Sequence, residues 1–113
     1  MQRDNAALLD CVLAARRILA FRGSTTHNQF LDDAMSQSAV IYQISIVGEA
    51  TRRLSAGFTA RYPDLPWRDM MGMRNRVIHG YDSVDLNEVW RVVTHDIPVF
   101  LAQIEPLVPA KEE

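Results

Sequence analysis

Residues 39–47 read AVIYQISIV, a run whose β-branched content suits a buried strand as well as a helix, so its reading decides the fold. Apolar residues continue at helical spacing on both sides of it, from Phe30 and Ala34 through Ile41, Ile44 and Val47 to Leu54. One stripe thus persists where a strand would alternate between faces. The run belongs to a long helix over residues 26–57. Upstream, residues 4–22 place Leu8, Val12, Ala15 and Leu19 on one stripe that Leu9 and Leu13 widen, and Gly23 followed by Ser24, Thr25 and Thr26 reads as a stop and a fresh N-cap region.

Downstream, FTARYPDLP at residues 58–66 has two prolines and must be irregular. A third, short helix starts at Pro66 or Trp67, with Asp69 in its first turn, and ends at His79, because Gly80 is the residue type that takes a left-handed C-terminal cap. The fourth opens at Asp85 with a capping box completed by Glu88 and buries Leu86, Val89, Val93, Ile97, Phe100, Ile104 and Leu107. Pro98 should kink it, and Pro106 and Pro109 close it. These elements predict an all-α fold: an up-and-down four-helix bundle with a kinked C-terminal helix, one domain over residues 1–110 and a short acidic tail at 111–113. The stripes on the second and fourth helices are wider than one small bundle needs, which predicts a homodimer.

Composition narrows the function. The 113 residues are 48% hydrophobic and 23% charged, ordinary for a globular protein. No apolar run approaches the ~18 residues that span a bilayer; charges interrupt the N-terminal stretch, so it is not read as a leader, and the expected location is the cytoplasm. Cys11 is the single cysteine and reads as a small buried hydrophobe. A net charge of −2 argues against a general polyanion binder, yet residues 51–80 hold six arginines, Arg52, Arg53, Arg61, Arg68, Arg74 and Arg76, against Asp64 and Asp69. Any phosphate-binding surface is therefore local. No His or carboxylate pair shows metal-ligand spacing with a third partner, and no glycine-rich phosphate loop is present. No cofactor is expected.

The segment MRNRVIHGYDSVD, residues 73–85, carries the chemistry. RNA is cleaved without metal when a base takes the ribose 2′-OH proton, a cation stabilises the phosphorane, and an acid protonates the leaving 5′-oxygen. An imidazole, which titrates near neutrality, suits His79 to the proton transfers, and Arg74 suits the phosphate. On a continuous helix, five positions place the two about 140° apart. Either the helix end bends, or a second copy completes the cleft. A helix C-terminus would also favour the protonated imidazole. Other residues have blander readings. Trp67 and Trp90 are expected in the core, Arg52 and Arg53 on a solvated face, and Met70, Met71 and Met73 in adaptable packing or a dimer seam; His27 and His95 have no assigned role. Glu49 is a candidate partner that orients an arginine, and Arg76 a candidate RNA contact.

RNRVIHGY resembles the Arg-x4-His-x-Tyr motif of HepT-like RNase toxins in the HEPN superfamily, with Asn75 directly after Arg74. VGEA at residues 47–50, PDLPW at 63–67, GMRN at 72–75 and the Asp85-to-Trp90 start of the last helix extend the likeness over most of the chain. The resemblance implies a dimeric four-helix bundle and a metal-independent endoribonuclease toxin of a type II/VII-like toxin-antitoxin system. Arg74, Asn75 and His79 would form its active site, with motif helices facing across a shared cleft. Its implied partners are RNA, not DNA or a membrane, and a minimal nucleotidyltransferase antitoxin that transfers AMP to Tyr81 and so silences the site. The alternative is a nonenzymatic HEPN module that binds a nucleotide or scaffolds the nucleotidyltransferase.

Overall fold

The computed structural model describes residues 2–79 and 83–109, and it is all-α. Helix α1 (Gln2–Arg22) buries Ala7, Leu8, Cys11, Val12, Ala14, Ala15 and Ile18. It stops where expected: Gly23 adopts φ 50°, the left-handed conformation that glycine takes without a Cβ penalty, and donates its N–H to the Leu19 carbonyl at 3.0 Å. AVIYQISIV is helical. It forms the centre of α3 (Ala34–Arg52), whose buried side carries Val40, Ile44, Val47, Ala50 and Thr51 and packs along α1.

The single helix expected over residues 26–57 is broken twice, each time by a short polar side chain that caps a new helix. α2 (His27–Leu31) opens with a capping box in which Thr26 and Gln29 satisfy one another's backbone N–H groups. Asp33 then leaves the helical region and accepts from the Ser36 N–H at 3.2 Å, starting α3. Ser55 does the same for Phe58 and starts α4 (Ala56–Arg61), so part of the stretch expected to be irregular is helical. Such side chains offer the backbone an alternative to the helical ladder, and the apolar stripe continues across the interruption.

Asp4 ties the beginning of α1 to that second break. Its buried carboxylate accepts from both the Ser55 N–H and the Ser55 hydroxyl, each at 2.8 Å. These bonds, the backbone one first, hold its pKa below the ordinary value. A depressed folded pKa stabilises the fold fully above the unfolded carboxylate's value of about 3.9 and loses that contribution as pH falls through the folded value. Asp4→Asn should therefore lower Tm at neutral pH, with the gap to wild type closing in acid below about pH 4. An equal gap at both ends of the titration would remove the charge from the explanation.

The C-terminal arm runs through α7 (Leu86–Arg91), a π turn (Val92–Asp96), α8 (Ile97–Ile104) and a 3-10 turn (Glu105–Leu107). The kink expected at Pro98 takes the form of this π turn, in which the Ile97 N–H reaches the Val92 carbonyl. Pro98 has no N–H to continue the regular ladder, and it sits in the first turn of α8, where none is needed. The Asp85 side chain accepts from the Glu88 N–H at 3.0 Å as predicted, but Glu88 does not close a capping box; its carboxylate turns to Arg91 instead.

Phe100 lies in the core edge-on to Trp67, which also meets Phe58 edge-on. Trp90, expected in the core, is only half buried: the His27 ring stacks parallel to it at 5.2 Å, and the Arg22 guanidinium lies 5.0 Å from its centroid. Cys11 is fully buried between α1 and α3 beside the Thr51 hydroxyl at 3.5 Å, and burial pushes its thiol up to about 11. No helix among the described residues is long and apolar enough to cross a membrane.

Candidate active site

Two short helices lead into the motif, and the second carries its Arg74 and Asn75. α5 (Trp67–Met71) is anchored by Trp67, whose indole N–H donates to the Tyr62 carbonyl at 2.9 Å, and by buried Met70. Gly72 separates it from α6 (Met73–Val77), which buries Met73 and Val77 at its two ends. The three methionines divide accordingly: Met70 and Met73 fill this chain's own core, while Met71 is half buried. The pair of helices rests on α3 at Gly48. A Cβ built there would lie 3.3 Å from the Met71 carbonyl oxygen and 3.6 Å from that of Met70, so the absence of a side chain is what permits the approach.

The helix does not continue to His79. It ends at Val77, and Ile78 is extended (φ −114°, ψ 121°). Ile78 pairs with Val84 in an isolated antiparallel bridge, where His79 donates its N–H to the Ser83 carbonyl at 2.7 Å and Asp85 donates to the Val77 carbonyl at 2.8 Å. The β-branched Ile78 suits this extended pairing better than the helix end inferred from Gly80, which itself lies outside the described residues. Two expectations change as a result. The angle of a continuous helix no longer separates Arg74 from His79, and the imidazole does not sit in the last helical turn.

Arg74, Asn75 and His79 are all exposed, and among the described residues no side chain hydrogen-bonds or ion-pairs with theirs. Tyr81 lies outside the described residues. Glu49 is exposed and 3.7 Å from Arg52, so its ion-pair partner is not Arg74. Arg76 is not a free cation. Its Nη1 donates to Asp69 at 2.8 Å, its Nη2 donates to Asp96, and its Nε lies 3.6 Å from Glu88. Arg53 pairs with Asp10. The basic segment thus reduces to Arg61, Arg68 and Arg74 as arginines without a carboxylate partner among the described residues. Arg68 lines an open groove of about 670 Å³ with Leu65, Trp67 and Gly72. Among the described residues, no three His, Cys, Asp or Glu side chains are grouped so as to hold a metal ion. The Asp96 carboxylate had no signal in the sequence, since it reaches Arg76 across 20 positions.

The family profile described as ribonuclease HepT-like matches residues 13–107, a span that includes Arg74, Asn75, His79 and Tyr81. The chain belongs to the HepT-like ribonuclease family. Two relatives agree along nearly their whole length. A Methanocaldococcus jannaschii protein named "Putative RNase" is 33% identical over 105 residues, covering 92% of this chain and 96% of its own. The "Probable ribonuclease HepT" of Thermococcus cleftensis is 33% identical over 108 residues, covering 95% of this chain and 98% of its own. No solved structure matches. In this HepT-like chain the helix break at Gly72, the end of α6 and the bridge all fall within the span shared with the family.

Proposed function

We propose that this HepT-like chain is a metal-independent endoribonuclease and the toxin of a toxin-antitoxin pair, acting in the cytoplasm. The observation that carries the reading is the junction at Val77–Ile78, which presents Arg74 and Asn75 from the helix and His79 from the extended arm, all to solvent. Phosphoryl transfer to the 2′-oxygen forms the O2′–P bond and breaks the P–O5′ bond, leaving a 2′,3′-cyclic phosphate and a free 5′-hydroxyl. His79 moves the proton, Arg74 stabilises the charge that develops on the phosphate oxygens, and Asn75 supplies a neutral donor beside it.

A up-and-down bundle pairing as a homodimer would bring two such segments to one cleft. Exposed Met35 and Tyr42 on α3 offer apolar surface for the second copy. Silencing would follow from AMP transfer: the Tyr81 phenol oxygen attacks the α-phosphorus of ATP, pyrophosphate leaves, and the nucleotide places negative charge two residues from His79, where RNA phosphate must bind. A nucleotidyltransferase antitoxin would supply that activity.

The test is cleavage of end-labelled RNA by purified protein in EDTA, with product ends analysed. Chelator-resistant cleavage that leaves cyclic phosphate supports the reading. If unmodified protein binds nucleotide saturably and leaves RNA intact, the chain is a binding module of the nucleotidyltransferase instead.

A further inference from the structure

α6 has five residues and no side-chain cap at either end, too short to hold its shape without tertiary support. Its two buried anchors fix its depth in the core. Arg76 has the geometry to fix its rotation. Arg74 and Arg76 are two positions apart, about 200° around the helix, so exposed Arg74 points away from Arg76, whose side chain is 29% exposed at the wall of the groove that Arg68 also lines. Arg76 reaches carboxylates from three other elements: Asp69 in α5, Glu88 in α7 and Asp96 at the end of the π turn.

The π turn is what delivers Asp96. On a regular helix, Arg91 and Asp96 would lie about 140° apart. Here the wider turn brings Asp96 to 3.3 Å from Arg91 and into contact with Arg76, with its side chain only 10% exposed. Burial opposes the Arg76 charge, but the Asp96 hydrogen bond and the three carboxylates outweigh it and raise the pKa. Arg91 in turn pairs with both Glu88 and Asp96. A planar fork with five donors bridges several carboxylates in a fixed geometry that a compact three-donor ammonium does not impose.

We propose that Arg76 is a positioning residue: clamped by Asp69, Glu88 and Asp96, it sets the orientation in which α6 presents Arg74 and leads into His79, and it does not bind RNA. The inference rests on the ribonuclease reading, but part of its test does not. Amide exchange at His79 and Asp85, which close the bridge, reports the segment without any substrate. In Arg76→Ala those amides should exchange at least about tenfold faster while the amides of α1 and α3 keep their protection. At a temperature where the variant is fully folded, single-turnover cleavage should fall about 10–100-fold, because small displacements of reacting groups are costly. The salt dependence of RNA binding should be unchanged, because Arg74 keeps its charge, and any loss of affinity should stay below that of Arg74→Ala. Arg76→Lys, which keeps the charge and loses the fork, should fall between the two, and Asp96→Asn gives the same pattern should Arg76→Ala fail to fold.

Weaker RNA binding in Arg76→Ala, with a salt slope reduced by about one, would make Arg76 an RNA ligand and overturn the proposal. So would wild-type exchange at both amides in a folded variant, or a wild-type cleavage rate. Wild-type protein that cleaves no RNA would remove the ribonuclease reading alone, and exchange would still decide the clamp.

Discussion

Alanine at position 79 should lower the single-turnover rate of RNA cleavage by about 10²–10⁴-fold, the range associated with a positioned proton-transfer group. The fold should be untouched. The His79 side chain is exposed, and its structural contribution is the backbone N–H given to Ser83, which alanine retains. Circular dichroism and Tm should therefore match wild type while activity disappears, a separation that a buried histidine could not give. Arg74→Ala should lose about 10²–10³-fold, as expected for removal of one charge-stabilising donor, and should also reduce the salt dependence of RNA binding. Cleavage equal in wild type and His79→Ala would point to a contaminating nuclease and sink the assignment.

The second large effect is at Gly48. Gly48→Val should destabilise the protein by about 1–3 kcal/mol through overpacking, seen as a fall in Tm of roughly 4 °C or more. The obstacle is backbone: the Met71 carbonyl oxygen would lie 3.3 Å from the first added carbon, and valine adds two further methyls. Because α5 leads directly into α6, relief of that clash displaces the segment carrying Arg74, so cleavage should fall beyond what the folded fraction explains. Gly57→Ala is the control. A Cβ there meets nothing within 4 Å, and alanine in α4 should leave stability unchanged or raise it by up to about 1 kcal/mol. Equal effects at the two glycines would show that backbone freedom, not contact with α5, is what position 48 supplies.

Periodicity made the helical character of the chain legible. AVIYQISIV could be placed because the stripe from Phe30 to Leu54 outlasts any strand, and Val40, Ile44 and Val47 do form the buried side of α3. That same continuity hid the breaks. Asp33 and Ser55 are good N-cap residues, but a cap inside a persisting stripe is read through unless its hydrogen bonds are seen. Pro98 marked the disturbance in the last arm without saying that it would be a π turn. In the motif, the residue types were legible and their setting was not. Gly80 suggested a helix end at His79, whereas the pairing of Ile78 with Val84 ends it two residues earlier. Arg76 looked like a surface cation because two of its partners, Glu88 and Asp96, lie in a different helical arm, where no local spacing rule applies.

The sealed position of Cys11 gives the molecule an internal clock. With its thiol fully buried and its pKa near 11, almost no thiolate is present or accessible at neutral pH. Alkylating reagents should therefore modify the native protein only during the moments when α1 and α3 separate. The rate of that modification measures how often the two longest helices part, and a cysteine introduced elsewhere on the surface can carry a probe without competition from the native thiol.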